Sequence, residues 1–359
     1  MQDRTKRRVF SFILLLFVLA VTETASRVYL AATEFSGKRA LLTPGRIIYG
    51  YYPELEAVLR ERAARDDGGI HILFLGGSAL ADFGHGAIRP ILTETISSRT
   101  GRPVTIHSVA VPTFSSLDAY YMYKRLRAAP FDLVIYYESI NEVRANSCPR
   151  ALFRADYSHY SWYRSVNMIE RHKELSVTAS PFVFHKLFVW LGRTVRSLPD
   201  VPMQKPNDEW VGEGAEIKTA GSFRQNLEGI IEIAQEKGDP LLLVSFAYYI
   251  PADYSIGRFR AKQLDYTGYL CPIELWGKPE NVEAGIRAHN GILRTLYADH
   301  VKAGESRLYF FDLETEMPKD GACFDDICHL TRRGSEEFVA RIRDSVLGAL
   351  REPKLRLGT

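Results

Sequence analysis

The chain has 359 residues, of which 46% are apolar and 25% charged, so it is long enough to bury one large core or two smaller ones. Its formal net charge is only +3, and apart from one N-terminal cluster the basic residues are scattered. Nucleic-acid binding needs a concentrated basic face or stripe, so this charge pattern argues against a nucleic-acid partner.

The N-terminal segment has the pattern of an export signal or membrane anchor. Four basic residues within the first eight precede an apolar run over residues 9–21. If Glu23 is tolerated, the apolar segment extends to residue 32, which exceeds the ~20 residues that spanning requires. A good small-x-small cleavage site is missing, so we favour an uncleaved anchor over a cleaved signal. In both cases the basic cluster predicts that the body lies outside the cytoplasm.

This reading divides the chain into a cytoplasmic stub (1–8), an anchor (9–32), a juxtamembrane connection (33–66) and a folded body (67–352). The connection includes a predicted helix over 54–64, which ends before Asp66-Asp67-Gly68-Gly69. The body begins with the first of five short, nearly continuous apolar runs, at 70–75, 104–111, 133–137, 241–246 and 308–313. Such runs are typical of strands that are covered on both faces.

Helical periodicity occurs between the apolar runs and after the last of them. Apolar residues recur at helical spacing over 117–126, 223–234, 282–296 and 338–347, and Gly238-Asp239-Pro240 marks the end of the second stretch. Strands that alternate with helices predict a doubly wound α/β fold with a parallel sheet of about five strands.

Residues 145–219 form a predicted helical insertion without sheet character. It contains an aromatic cluster at Tyr157, Tyr160, Trp162 and Tyr163, for which packing in a core or at a membrane interface is favoured over stacking on sugar rings. An apolar stretch over 181–191 follows. His185 and Lys186 interrupt it and it is too short to span, so we do not expect a second transmembrane helix.

All four cysteines lie in the predicted extracytoplasmic body. Cys148, Cys271, Cys323 and Cys328 permit two disulfides in an oxidising compartment, with three possible pairings that the sequence leaves open. Their spacing does not match a zinc site, and we expect neither a metal nor a cofactor. A structural disulfide near His329 is the favoured prediction.

Polar residues that could form a hydrolytic site follow the first and last predicted strands. Ser78 comes directly after the first strand, where Gly76 and Gly77 allow a sharp turn, and Asp326 precedes His329 by three residues after the fifth. The carboxyl ends of parallel strands meet at one edge of the sheet, so these side chains are expected together. They predict a serine nucleophile, a histidine general base and an aspartate that orients the base.

Two further residues at the same edge are candidates for stabilising a developing oxyanion. Asn141 follows the third predicted strand and offers a side-chain amide, and Thr113 follows the second and offers a backbone N–H, as does Ser78 itself. His85 is interpreted as a loop residue rather than a second base, and His107 as a buried, hydrogen-bonded strand residue.

These residues resemble the ordered blocks of the SGNH or GDSL-type serine hydrolases over most of residues 70–350. Residues 74–78 (Phe-Leu-Gly-Gly-Ser) are similar to the first block, with Gly77 where aspartate is usual, a form that also occurs in membrane-anchored relatives. Residues 108–113 resemble the second block with Thr113 in place of a glycine. Residues 139–142 resemble the third with serine and glutamate replacing glycine and aspartate, and residues 326–330 match the fifth.

The resemblance implies a flavodoxin-like three-layer α/β/α sandwich with the catalytic residues Ser78, His329 and Asp326. It also implies an oxyanion hole made by the Ser78 and Thr113 N–H groups and the Asn141 side chain. The expected function is a membrane-anchored esterase that acts on O-acyl, first of all O-acetyl, esters of a cell-envelope or exported glycan. The alternatives left open are an O-acyltransferase with the same residues and a non-catalytic glycan- or partner-binding protein.

Overall fold

The computed structural model describes residues 2–33, 39–63, 68–205 and 207–351. The predicted connection over 33–66 falls partly outside these residues, as do the predicted helix stop at Asp66-Asp67 and the predicted end of the body at 352. The chain divides into two compact units, one made of Met1–Glu56 with Ser158–Asp200 and the other of Ala57–Tyr157 with Val201–Thr359. We call the first the N-terminal unit and the second the sheet unit.

The described residues contain five strands, β1 to β5, and helices that we number in chain order. The strands are Ile70–Gly76, Val104–Ser108, Leu133–Tyr137, Leu241–Val244 and Leu308–Phe311. The helices are α1 (Gln2–Thr33), α2 (Arg39–Leu42), α3 (Ile48–Tyr51), α4 (Pro53–Ala63), α5 (Ile88–Thr100), α6 (Ser116–Arg125), α7 (Ile140–Asn146), α8 (Ser161–Arg171), α9 (Ser180–Val195), α10 (Ala220–Lys237), α11 (Ile256–Arg260), α12 (Pro279–Lys302), α13 (Leu313–Glu316) and α14 (Arg332–Arg351).

The sheet unit is built on one parallel sheet with the strand order β2-β1-β3-β4-β5. This is the flavodoxin-like doubly wound order, and the predicted fold class is confirmed. Every residue of β1, β3 and β4 is buried, as the continuous apolar runs predicted, whereas the edge strands β2 and β5 are only partly covered. Helices α5 and α14 contact each other, and α10 contacts both α6 and α12, which supplies the helical layers.

Three strands end earlier than their apolar runs, at the carboxyl edge of the sheet. Beyond β2, the Val109 N–H still donates to the Phe74 carbonyl at 3.1 Å and the Val111 N–H to the Gly76 carbonyl at 3.4 Å. Beyond β4, the Ser245 N–H donates to the Phe311 carbonyl at 3.0 Å. The loops that follow these strands are thus held against the sheet. Their apolar residues therefore prolong the apolar runs beyond the ends of the strands.

Two of the local predictions are confirmed at the ends of the elements. Helix α10 ends at Gly238, whose left-handed φ of +66° lets its N–H reach the Ala234 and Gln235 carbonyls. His107 is buried in the outer strand β2, where its Nε2 lies 3.1 Å from His71 Nδ1 and its Nδ1 lies 2.9 Å from a Glu61 oxygen. It is therefore the satisfied strand residue that the sequence predicted.

The prediction of a disulfide near His329 is wrong, because all four cysteines are free thiols. Burial raises the pKa of Cys148 and of Cys271 to about 12 and that of Cys323 to about 11. Burial also raises the pKa of Cys328 far above its ordinary value. The thiols are thus protonated and act as small apolar side chains in the interior.

The N-terminal unit contains α1, which is long and apolar enough to cross a membrane by length and composition. Its apolar side chains over residues 9–21 are exposed, with Phe10 at 67% and Phe17 at 65%. Among the described residues no other helix meets both criteria of length and apolarity, and the stretch over 181–191 forms part of the 16-residue helix α9.

The aromatic cluster of the insertion is used for packing, as favoured from the sequence. Tyr160 and Tyr163 are fully buried in the N-terminal unit, where the Trp162 ring lies 5.3 Å from the Tyr51 ring and 6.0 Å from the Tyr52 ring. These rings therefore contribute to the interior of their unit and do not form an exposed stacking platform.

Candidate active site

The loop that carries Ser78 is shaped by the close approach of β1 and β3. A Cβ at Gly76, the last residue of β1, would lie 2.3 Å from the Tyr137 carbonyl oxygen, so the two strand ends can approach this closely only with glycine there. The chain then turns, with the Leu80 N–H donating to the Gly77 carbonyl at 3.2 Å and the Ala81 N–H to the Ser78 carbonyl at 3.1 Å. This places Ser78, which is only 6% exposed, directly beyond the carboxyl end of a central strand.

The loop that carries Asp326 and His329 is folded around the aspartate carboxylate. An antiparallel bridge between Phe324 and Leu330 closes the loop. One carboxylate oxygen of Asp326 accepts the Cys328 and His329 N–H groups, both at 2.9 Å, which is the local turn that aspartate favours. The spacing of three residues therefore has a physical cause, because it lets the carboxylate hold the backbone of the histidine as well as its ring.

The three side chains form a continuous hydrogen-bonded chain. The second carboxylate oxygen of Asp326 lies 2.7 Å from His329 Nδ1, and His329 Nε2 lies 2.8 Å from Ser78 Oγ. An aspartate accepts from Nδ1–H, so this arrangement selects the tautomer whose Nε2 carries the lone pair and can accept the serine proton. Asp326 is fully buried and His329 is 2% exposed, so bulk water scarcely competes for these bonds.

The candidate oxyanion donors lie around the same serine. The Asn141 amide nitrogen donates to the Phe114 carbonyl at 2.9 Å, which ties the start of α7 to the turn after β2 and leaves a second amide proton. Within the described part of the chain, neither the Ser78 N–H nor the Thr113 N–H donates a hydrogen bond to another protein atom. These two N–H groups can thus donate to an acceptor at this edge of the sheet, whereas the Asn141 amide also lies beside the Glu138 carboxyl group.

Thr113 adopts a left-handed backbone conformation that favours glycine. The Phe114 N–H donates to the Val111 carbonyl at 3.1 Å, which closes a four-residue turn with Pro112 second and Thr113 third. The third residue has φ +76°, the conformation that a type II turn requires and that glycine normally supplies. A β-branched residue in this region is strained, by on the order of 1–2 kcal/mol, and such strain is concentrated at functional sites.

Glu138 is a buried acidic residue that lies directly against Gly77. A Cβ at Gly77 would lie 2.1 Å from Glu138 Oε2 and 2.7 Å from Asn141 Nδ2, so the glutamate occupies the space that a side chain at 77 would need. The other oxygen, Oε1, accepts the Asn141 N–H at 2.6 Å. Complete burial raises the pKa of Glu138 well above its ordinary value, although the Asn141 N–H opposes this shift. The sequence analysis missed this residue, and its signal is an acidic residue directly after a fully apolar strand.

Glu142 is a second buried carboxyl group at this edge. Its Oε1 accepts the Ser116 N–H at the start of α6 at 2.6 Å, and its Oε2 accepts a hydrogen bond from the Tyr157 hydroxyl. Complete burial raises its pKa to about 7, against the opposing effect of these hydrogen bonds. Glu142 therefore fixes α6 and the start of the insertion relative to α7, and it has no direct contact with Ser78.

Three further side chains lie around the His329 loop, and of these the sequence did not single out Phe83. The Phe83 ring centroid lies 4.9 Å from that of His329, and the Trp276 ring lies 6.3 Å from it on the α12 side. His85 is a loop residue, as predicted, and its Nδ1 lies 3.0 Å from both oxygens of the fully buried Asp325. This pair ties the loop after Ser78 to the loop of His329. The adjacent acidic residues 325 and 326 were its only sequence signal.

A metal ion would have to compete with the hydrogen bonds of this site. Among the described residues, one group of three could present ligand atoms together, namely Cys271, Asp326 and His329, whose atoms lie within 4.8 Å of one another. Two of the three are already joined by the 2.7 Å hydrogen bond that orients the imidazole. The Cys271 backbone N–H also donates to the same carboxylate at 2.9 Å. The donor set therefore fits the hydrogen-bonded arrangement better than a metal centre.

Solved structures of ester hydrolases resemble the chain in fold. No family model and no curated protein matches it by sequence. It is similar to a lipase from a goat rumen metagenome (12% identity, 78% of this chain and 99% of that chain, TM-score 0.42). It is also similar to the acetyl xylan esterase AlAXEase (13%, 77% and 100%, 0.42) and to a GDSL-like lipase from Bacteroides thetaiotaomicron (12%, 83% and 99%, 0.41). At 12–13% identity this similarity concerns the fold and does not extend to the chemistry of the site.

Replacing Gly77 by alanine should destabilise the sheet unit. The new methyl group would displace Glu138 and Asn141 in a fully buried environment, and overpacking of this kind costs about 1–3 kcal/mol. The matched control is Gly291→Ala in α12, where an added Cβ meets nothing within 4 Å and should stabilise the helix slightly. Urea unfolding of both variants measures the difference. Equal stability of Gly77→Ala and the wild type would contradict the assignment, and Glu138→Ala in the same chain should recover part of the loss.

Glu142 should make the folded protein less stable as the pH rises from about 4.5 to about 7. Its folded pKa lies above its unfolded value, so in this window the folded state binds more protons and the free energy of unfolding falls by up to about 1.4 kcal/mol per pH unit. Glu142→Gln removes this titration and should flatten that part of the stability profile. Unfolding midpoints of both proteins, measured at several pH values across the window, test this, and parallel profiles would show that Glu142 is not the group responsible.

Proposed function

We propose that this protein is a serine hydrolase of the SGNH type that cleaves carboxylic esters. The observation that carries the proposal is the 2.8 Å separation of Ser78 Oγ and His329 Nε2, with the ring oriented by Asp326. A hydroxyl is a weak nucleophile by itself, and a base within hydrogen-bonding distance is the feature that activates it. A protein that only bound ligands on this fold would need neither this contact nor the buried aspartate behind it.

In the first step, Ser78 Oγ attacks the ester carbonyl while its proton passes to His329 Nε2. The imidazolium that results is stabilised by Asp326, whose carboxylate already accepts the Nδ1–H bond. The tetrahedral intermediate then collapses, the bond to the alcohol oxygen breaks, and His329 returns the proton to this oxygen. The products are the free alcohol and an acyl group bound to Ser78.

In the second step, water attacks the acyl group and His329 accepts its proton. Collapse of the second intermediate breaks the ester bond to Ser78, releases the carboxylic acid and restores the serine hydroxyl. The oxyanion of each intermediate would accept the Ser78 and Thr113 N–H groups and the Asn141 amide. One such donor typically contributes about 3–4 kcal/mol to transition-state stabilisation.

The substrate class that we propose is an O-acyl ester, with O-acetyl first, of a cell-envelope or exported glycan. Support comes from α1, since an uncleaved span after an N-terminal basic cluster would hold the body outside the cytoplasm, where such esters occur. The same residues would serve acyl transfer if an alcohol replaced water in the second step. Hydrolysis is the proposal adopted, because it requires no acceptor site.

Ser78→Ala should abolish ester hydrolysis while leaving the fold intact. Removal of the nucleophile of such a triad lowers kcat by about three orders of magnitude or more. The assay is p-nitrophenyl acetate hydrolysis and acetate release from an acetylated glycan by the full chain in detergent. The control is Ser97→Ala, whose hydroxyl bonds only the Arg102 carbonyl in the turn before β2. Equal rates for Ser78→Ala and the wild type would rule out the catalytic assignment.

A fluorophosphonate probe should label Ser78 covalently. The label forms only on a serine that a base activates, so labelling is expected in the wild type and is expected to be lost in both Ser78→Ala and His329→Ala. Peptide mapping by mass spectrometry identifies the modified residue. A folded wild-type chain that takes no label would favour the alternative of a binding protein, and label that persists in His329→Ala would remove histidine from the role of base.

A further inference from the structure

Helix α9 of the N-terminal unit has an apolar face that is left uncovered. Its exposed large apolar side chains are Phe184, Leu187, Phe188, Trp190, Leu191 and Val195, with fractional exposures from 44% to 76%. Four of these, at positions 184, 188, 191 and 195, follow the helical spacing i, i+4, i+7 and i+11, so they form one stripe. The opposite face carries Phe182, which is buried. A contiguous exposed apolar stripe is unusual for a surface that meets only water.

The start of α9 is fixed to α1 by the one acidic residue in the outer part of the predicted anchor. The Glu23 carboxylate accepts the Ala179 N–H at 2.8 Å and the Ser180 N–H and hydroxyl at 3.0 and 2.7 Å. The N–H groups at the start of a helix have no acceptor within the helix, and the Glu23 carboxylate supplies one for α9. Arg27 completes the junction, with its Nε 2.7 Å from Glu23 and its guanidinium donating to the Val177 carbonyl at 2.6 Å.

This junction places α9 at a definite depth along α1. Glu23 lies two residues beyond the apolar run over 9–21 and is the fifteenth of the 24 residues in the anchor predicted over 9–32. The Lys186 ammonium lies 5.9 Å from the centroid of the Tyr29 ring, so α9 remains beside the outer part of α1 after leaving Glu23. A hydrocarbon core of ~20 residues that starts at residue 9 would end near residue 28. Helix α9 would then begin about five residues, or ~8 Å, inside that boundary, within the ~5–10 Å depth to which interfacial helices bury their apolar face.

The charge of this segment matches an anionic lipid surface. Residues 175–199 contain Lys186, Arg193 and Arg196 and no acidic residue. At 16 residues, or about 24 Å, α9 is too short to span a bilayer but can lie along its surface. Helices that lie in the interface combine an apolar face with basic residues and aromatic side chains at the boundary.

We infer that α9 is an interfacial helix, whose apolar stripe inserts into the outer leaflet of the bilayer that α1 spans. The apolar side chains of the stripe thus contact phospholipid acyl chains, and the basic residues face the headgroups. This inference rests on the proposed role of α1 as an anchor and is independent of the ester chemistry. It gives the insertion a function, because it provides a second contact with the membrane next to the span.

The test uses the full chain reconstituted in vesicles of phosphatidylcholine and phosphatidylglycerol, with and without acyl chains brominated near the headgroup. Trp190 is 63% exposed beside the stripe, so bromolipid should quench part of the wild-type emission, and Trp190→Phe should lose that part. Phe188→Trp should add emission that the bromolipid quenches. The matched control is Trp162→Phe, which removes a ring packed on Tyr51 and Tyr52 and should leave the bromolipid-quenched emission unchanged.

Three results would overturn the inference. Quenching of the Phe188→Trp reporter by aqueous acrylamide but not by bromolipid would place the stripe in water. Protection from both quenchers would mean that protein, for example a second copy of the chain, covers it. A chain that does not float with the vesicles would overturn the anchor role of α1 together with that of α9, whereas hydrolysis by Ser78 would be unaffected by any of the three.

Discussion

The Asp326 carboxylate is the group on which the geometry of the site depends. It is fully buried and accepts four hydrogen bonds, from the Cys271, Cys328 and His329 N–H groups and from the His329 ring. These bonds join two loops that are more than fifty residues apart in sequence and fix both the backbone and the imidazole of the same histidine. A buried carboxylate costs free energy unless it is fully hydrogen-bonded, so the folded loop and the charge stabilise each other.

Much of this architecture could be predicted from the sequence, for one topological reason. Parallel strands that are covered on both faces have continuous apolar sequences, and the carboxyl ends of such strands lie at the same edge of the sheet. Ser78 and His329, which are 251 residues apart, could therefore be expected at the same place before any contact was known. The end of a helix could also be predicted where the backbone requires one residue type. At Gly238 the residue after the helix has a left-handed backbone conformation, which favours glycine.

Features that depend on side-chain packing between distant residues could not be predicted from the sequence. Gly77 and Glu138 are 61 positions apart in the sequence. Only the packed structure shows that the Glu138 side chain fills the space that a side chain at position 77 would need. The positive φ of Thr113 contradicts its local preference and is imposed by the surrounding turn. The cysteine count allowed disulfides, but pairing requires geometry, and burial as single apolar thiols uses the same residues.

The buried carboxyl groups also determine which charges lie near the reacting atoms. Glu138, Glu142 and Asp326 are among the fully buried acidic side chains, together with Asp118 and Asp325. Burial raises the pKa of Glu138 well above its ordinary value and that of Glu142 to about 7. Below neutral pH both therefore favour the neutral form and can fix the Asn141 and Ser116 N–H groups without adding negative charge. An oxyanion that forms at Ser78 would be destabilised by such a charge, since electrostatic interactions are strong where water is excluded. Hydrogen bonds from backbone N–H groups to one oxygen of Glu138 and one of Glu142 therefore offset part of the cost of burying these carboxyl groups.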